Sequence, residues 1–162
     1  MKIRTAAVSD LDLVCALADE IAELHNDKEP QIFLTPDLER DRAFWRACIE
    51  QVDGTILVAA EGEAALGFVA AKISPASAPS FLRRRIICRI GTIVVSRCAR
   101  REGIGSALIR AIEIWAIEQS AIEVRLEVFS FNEQAVAFYE RLGYGVQSRH
   151  MYKGLVGHGA DA

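Results

Sequence analysis

Residues 100–110 read RREGIGSALIR, two arginines and two glycines directly ahead of an amphipathic run. Arg100, Arg101, Glu102, Gly103, Ile104 and Gly105 spell RxxGxG at what should be the start of a helix, with Ser106 in its first turn. The first turn of a helix leaves four N–H groups without partners and carries the positive end of the macrodipole, so an anion satisfies both. A side chain at Gly103 or Gly105 would stand between those amide hydrogens and a phosphate, while Arg100 and Arg101 add charge-assisted contacts. An ATP-type phosphate loop does not fit, because the position five beyond Gly103 is Leu108 and no lysine follows. A dinucleotide fingerprint fails at the same leucine, where glycine or alanine is needed. An anion cradle remains, against the plainer reading of a glycine-rich helix start without a ligand.

A second constellation follows a strand ending LEVFS: Asn132 and Tyr139, seven residues apart. Two helical turns place both on nearly one face, ~10 Å apart along the axis, within reach of one extended ligand. Phe138 and Leu142 suit core packing better than the tyrosine, whose hydroxyl needs a polar partner if buried.

These groups need a scaffold, and the pattern supplies one. Residues 3–7 read as a strand, and Ser9 as the cap of a helix with Leu13, Val14, Leu17, Ile21 and Leu24 on its apolar stripe. Thr35 and Pro36 read as the cap and first residue of a second helix carrying Leu38, Trp45, Cys48, Ile49 and Val52 on one face. Residues 55–60 and 65–73 flank an acidic turn as a hairpin, and residues 86–95 form a longer strand. A helix over 103–119, a strand over 122–129, a helix from Asn132 to Leu142 closed by Gly143, and one or two closing strands over 144–155 complete the chain. The expected fold is a single α/β domain, 1–155, with a frayed tail, 156–162.

Composition narrows the function. The net charge of −3 conceals a basic segment, residues 72–110, with nine bases against Glu102 alone. One cationic stretch inside an acidic protein suits a phosphorylated small ligand better than a nucleic-acid backbone. The apolar stretches are too short to span a bilayer, and the N-terminus meets acids before any signal-like core forms, so a cytoplasmic address is expected. Cys15, Cys48, Cys88 and Cys98 form no metal-binding spacing and read as reduced, mostly buried thiols.

The sequence resembles the GNAT superfamily of acyl-CoA-dependent N-acyltransferases. Residues 93–106, IVVSRCARREGIGS, are similar to its acetyl-CoA pyrophosphate motif, and residues 132–144, NEQAVAFYERLGY, to its N…A…FYE(R/K)LG(F/Y) motif. The resemblance implies a mixed, mostly antiparallel sheet flanked by about four helices. It implies that the backbone of Ile93, Val94 and Val95 pairs with the pantetheine arm and that Gly103, Ile104, Gly105 and Ser106 hold the pyrophosphate. Asn132 would then contact the CoA arm and Tyr139 face the sulfur, with acetyl-CoA as co-substrate, no metal, and a homodimer as the assembly.

Transfer by direct attack needs an oxyanion donor, for which a backbone N–H near Val95 is placed, and an acid for the leaving thiolate, for which Tyr139 is placed. The base is less defined. Arg89, Gly91 and Thr92 stand where many relatives carry a carboxylate; Arg97 and Ala99 stand where they often have proline and an aromatic. Glu127 is the remaining carboxylate beside the expected cleft, with a pair to Arg125 as its plainer role, and His25 is a second candidate at the acceptor pocket. Glu20, Glu23, Asp27 and Glu29 either attract a cationic amine or face solvent. The acceptor, a small-molecule or peptide amine, would lie between residues 19–41 and a basic turn near Arg83. The rival readings are a non-catalytic CoA-binding sensor or assembly module on the same fold, and a basic-patch nucleic-acid binder that lacks interleaved aromatics apart from Phe81.

Overall fold

In the computed structural model, which describes residues 1–62, 64–75 and 85–153, the residues form an α/β fold with a five-stranded sheet and four α-helices. The chain divides into two compact units, Met1–Glu127 and Val128–Ala162.

The first unit holds the sheet, in the order β1-β2-β3-β4-β5: β1 Lys2–Thr5, β2 Gly54–Glu61, β3 Ala64–Pro75, β4 Ile86–Val95 and β5 Glu123–Leu126. The first four pair antiparallel and β5 runs parallel to β4. The mixed, mostly antiparallel sheet is the one implied by the resemblance. Alternation sends Ile56, Val58, Phe68, Ala70 and Val94 to one face, where they pack with Leu11, Val14, Leu17 and Ala18 of α1 (Leu11–Lys28) and Trp45 of α2 (Leu38–Glu50). Phe68 is fully buried and meets the Trp45 ring edge-on at 5.2 Å. On the opposite face a Cβ at Gly67 would point at Leu108 Cδ1, 3.4 Å away, on α3 (Ile104–Glu118). The stripe Ile104, Leu108, Ile109, Ile112 and Ala116 of α3 is buried at i, i+4, i+5, i+8, i+12 spacing.

Several boundaries differ from expectation. A 3₁₀ turn, Val8–Asp10, occupies the expected cap region, and Asp10, not Ser9, precedes α1. Asp10 is held by a two-pronged pair with Arg4, at 2.6 and 2.7 Å, and accepts from the Ala7 N–H at 2.7 Å. The guanidinium hydrogen bonds hold its carboxyl below the usual range, against the opposing effect of burial. Asp37, not Thr35, caps α2, accepting from the Arg40 N–H at 3.1 Å, while Asp41 accepts from the Asp37 N–H at 3.0 Å. A carboxylate on an extended residue offers the helix start a stronger acceptor than the threonine two positions earlier. Val52 is fully exposed rather than inward. Of the four thiols only Cys88 is buried, and Cys98 is exposed.

The second unit carries α4 (Glu133–Arg141), capped by Asn132, whose side chain accepts from the Ala135 N–H at 3.1 Å. Gly143 follows at φ +89°, closing the helix as expected. Residues 144–153 form no strand, contrary to the closing strands expected there. The tail, 156–162, and the basic turn near Arg83 lie outside the described residues.

Candidate active site

The pairing of β4 determines what its far end exposes. β5 pairs only from Ile87↔Glu123 to Ile90↔Leu126, whereas β3 follows β4 to Val95. The β3–β4 register skips Gly91, an irregularity that re-aims the strand just where β5 leaves it. The Ser96 N–H donates to Leu66 on β3, at 2.9 Å, so alternation turns the backbone groups of Ile93 and Val95 toward the side β5 has vacated. Arg100 Nε donates to the Val95 carbonyl at 3.3 Å, leaving the amide hydrogens of Ile93 and Val95 on an edge without a β5 ladder. Ile93 and Val95 thus present backbone groups beyond the last β4–β5 pair, whereas those of Val94 face β3.

From Val95 the chain passes through a 3₁₀ turn, Arg97–Ala99, into the loop ahead of α3. Arg101 has φ +69° and Gly103 φ +81°, two left-handed residues that turn the chain into the helix axis. Gly103 precedes α3 without a side-chain cap, and a Cβ there would meet nothing within 4 Å. The first helical bond to Gly103 comes from Ala107, at 3.0 Å. The N–H groups of Ile104, Gly105 and Ser106 therefore open a helix that no side chain of the described residues caps. Arg100, Arg101 and Glu102 are exposed beside them.

On α4, Asn132 uses its carbonyl oxygen as the helix cap, which leaves the amide NH₂ to donate elsewhere. Tyr139 is buried, its ring 5.1 Å from Phe138 and 5.8 Å, edge-on, from Tyr144. Burial pushes its hydroxyl up to about 12.

The carboxylate and histidine candidates fare differently. Glu127 lies one residue beyond β5, exposed, rather than on the strand. Arg125 turns to Glu123 instead, its Nε donating at 2.8 Å, so the Arg125–Glu127 pair does not form. Glu123 also pairs with Arg85. The His25 ring lies tilted against Phe33, centroids 4.7 Å apart, near the C-terminus of α1, and burial lowers its pKa. Asn26 Nδ2 donates to the Phe33 carbonyl at 2.6 Å, fixing the same loop. Glu20 and Glu23 both reach the turn after β4, Glu23 while remaining exposed, a contact between residues more than seventy apart that sequence periodicity does not register. A shallow groove of about 280 Å³ among Glu113, Ile117, Ile122 and their neighbours lies at the other end of α3 and includes none of the expected site residues.

The model of the acetyltransferase (GNAT) family matches residues 18–144. The chain belongs to the GNAT family of acetyltransferases. An uncharacterized N-acetyltransferase of Bacillus subtilis (strain 168), YhfO, is 27% identical over 144 residues, 89% of each chain. A mutant of the BH1408 protein of Bacillus halodurans superposes with a TM-score of 0.91 at 25% identity, covering 96% of this chain and 100% of the other. The aminoglycoside N-acetyltransferase AAC(6')-Iy, in complex with CoA, shares the fold at a TM-score of 0.77 and 17% identity, over 96% of this chain and 94% of that one. Among the described residues no helix is long and apolar enough to cross a membrane, and no group of three metal-ligating side chains converges.

Proposed function

We propose that this GNAT protein is an N-acetyltransferase that moves an acetyl group from acetyl-CoA to a primary amine of a small molecule or peptide by direct attack, in the cytoplasm. The observation that carries the reading is the uncapped first turn of α3 behind a left-handed glycine, beside the splayed end of β4. A pyrophosphate fits donors of this kind, because the amides of Ile104, Gly105 and Ser106 open an uncapped helix, a Cβ at Gly103 would meet nothing within 4 Å, and Arg100 and Arg101 are exposed nearby. The N-acetyltransferase name of YhfO and the CoA held by AAC(6')-Iy support the same reading.

In this mechanism the backbone edge at Ile93 and Val95 holds the pantetheine arm in line. An N–H near Val95 donates to the carbonyl oxygen as negative charge builds there, a contribution that reaches ~3 kcal/mol for a preorganised donor. Asn132 donates through its free NH₂ to the CoA arm. Tyr139 supplies the proton to the departing sulfur. With the phenol at about 12 and an ordinary thiol near ~8.5, complete transfer to a free thiolate is uphill by roughly 5 kcal/mol, so the proton moves as the C–S bond breaks. Glu127, exposed and outside the Glu123–Arg125 pair, takes the amine proton through water, with His25 at the acceptor side.

Thiol release from acetyl-CoA, followed over a panel of small amines, amino acids and peptides, tests the reading. Amine-dependent release is expected, and Tyr139→Phe should lower kcat about a hundredfold with the KM for acetyl-CoA little changed. CoA binding without turnover on any amine would favour the sensor, and full turnover by Tyr139→Phe would remove the tyrosine from the chemistry.

A further inference from the structure

The carboxylate of Glu20 is assigned no part in the chemistry above, yet it is bound at both oxygens. Oε1 accepts from Ser96 Oγ at 3.0 Å and Oε2 from the Arg97 N–H at 2.9 Å. One turn along α1, Glu23 pairs with the Arg97 guanidinium at 3.2 Å, an exposed contact. Ser96 and Arg97 are the first residues after β4, where the chain leaves the sheet for the α3 loop. Ser96 is held from three directions: its N–H by Leu66 on β3, its carbonyl by the Ala99 N–H, and its hydroxyl by Glu20 on α1. Beyond this point the loop carries the left-handed residues Arg101 and Gly103 and receives no side-chain cap. Ser96–Arg97 is thus the first anchor of the loop, ahead of the buried Ala99 and of Arg100, which ties back to the Val95 carbonyl.

We propose that Glu20 is a positioning residue for the cofactor loop, its carboxylate fixing the Ser96–Arg97 turn so that the first-turn amides of α3 meet the CoA pyrophosphate in a preset arrangement. This rests on the reading of the α3 turn as the pyrophosphate site. The inference has a sign that electrostatics alone would reverse. A carboxylate near a pyrophosphate repels it, so neutralising Glu20 should tighten CoA binding if charge were its only influence. As a clamp it does the opposite: glutamine keeps one oxygen for the Arg97 N–H and can hold Ser96 only by donating to its hydroxyl, so both charge-assisted bonds that fix the start of the loop are lost. Glu23, whose exposed pair with Arg97 contributes little, serves as the control.

Titration calorimetry with CoA on the full chain, comparing wild type with Glu20→Gln, Glu20→Asp and Glu23→Gln, decides it, with thermal melts confirming that each variant is folded. Glu20→Gln should weaken CoA binding about tenfold, as should Glu20→Asp, which keeps the charge but cannot span both donors; Glu23→Gln should stay within about twofold. In steady state the loss should fall on the KM for acetyl-CoA and leave kcat at saturation within about twofold. Amides 97–103 should also exchange faster in Glu20→Gln without ligand. If Glu20→Gln does not fold, Glu20→Asp decides alone. Wild-type binding with undiminished or tighter binding by a folded Glu20 variant overturns the inference alone; absence of any heat with wild type overturns the pyrophosphate reading and this inference with it.

Discussion

At Gly103 the backbone conformation and the proposed chemistry make the same demand. Its φ of +81° lies where a Cβ costs about 1 kcal/mol, and the space in front of it is where a phosphate oxygen would come. Gly103→Ala should lower Tm by only about 2–4 °C. It should weaken CoA binding more than tenfold, because the methyl stands before the amides as well as straining the turn; paired melts and calorimetry check the disproportion. The helix start at Gly103 was legible because a glycine ahead of an amphipathic run carries its meaning locally. Asn132 was legible as a cap for the same reason. Glu127 was misread, since four residues of β5 rather than eight pair with β4, and a strand's end depends on its neighbour's twist, not on its own apolar content. The Glu20 clamp left no local signal at all, being a meeting of α1 with a turn seventy-six residues later.

Among the elements, β4 was read to its observed limits because isoleucines and valines recur from end to end of its ten residues, and α3 and α4 came within a residue because each has a clear apolar stripe and a distinct first residue, Gly103 and Asn132. The start of α2 was misplaced by a competing capping pattern, Thr35 with Pro36, that lost to the Asp37 and Asp41 carboxylates. The junction of β1 with α1 depends on Arg4 and the nearly buried Asp10, whose folded pKa lies below its unfolded value. A lowered carboxyl pKa stabilises above the unfolded value, near ~3.9, and that stabilisation disappears as pH falls through the folded value. Asp10→Asn should cost about 2–3 kcal/mol at pH 7, since it removes charge-assisted bonds to Arg4 and the Ala7 N–H. The gap between wild type and variant should shrink as pH drops from about 5 to about 2, measured by urea unfolding across that range.

For the molecule as a whole, the alternation of strands and helices was enough to give the α/β class and the family resemblance the mixed sheet, while the charge segregation pointed to a small anionic ligand. The stretch over 144–153 was expected to form strand, but Val146, Met151 and Tyr152 are exposed and nothing buried compensates for ordering them as a sheet edge. The acceptor side was the least legible, since amine recognition depends on loops whose packing no period records. The central claim is that the unpaired amides opening α3 grip the pyrophosphate of CoA. Amide-resolved NMR of the full chain titrated with CoA tests it most directly: large shifts at Ile104, Gly105 and Ser106, reproduced by the adenosine diphosphate portion alone, are the predicted result, and saturating CoA that leaves those three resonances in place would contradict it.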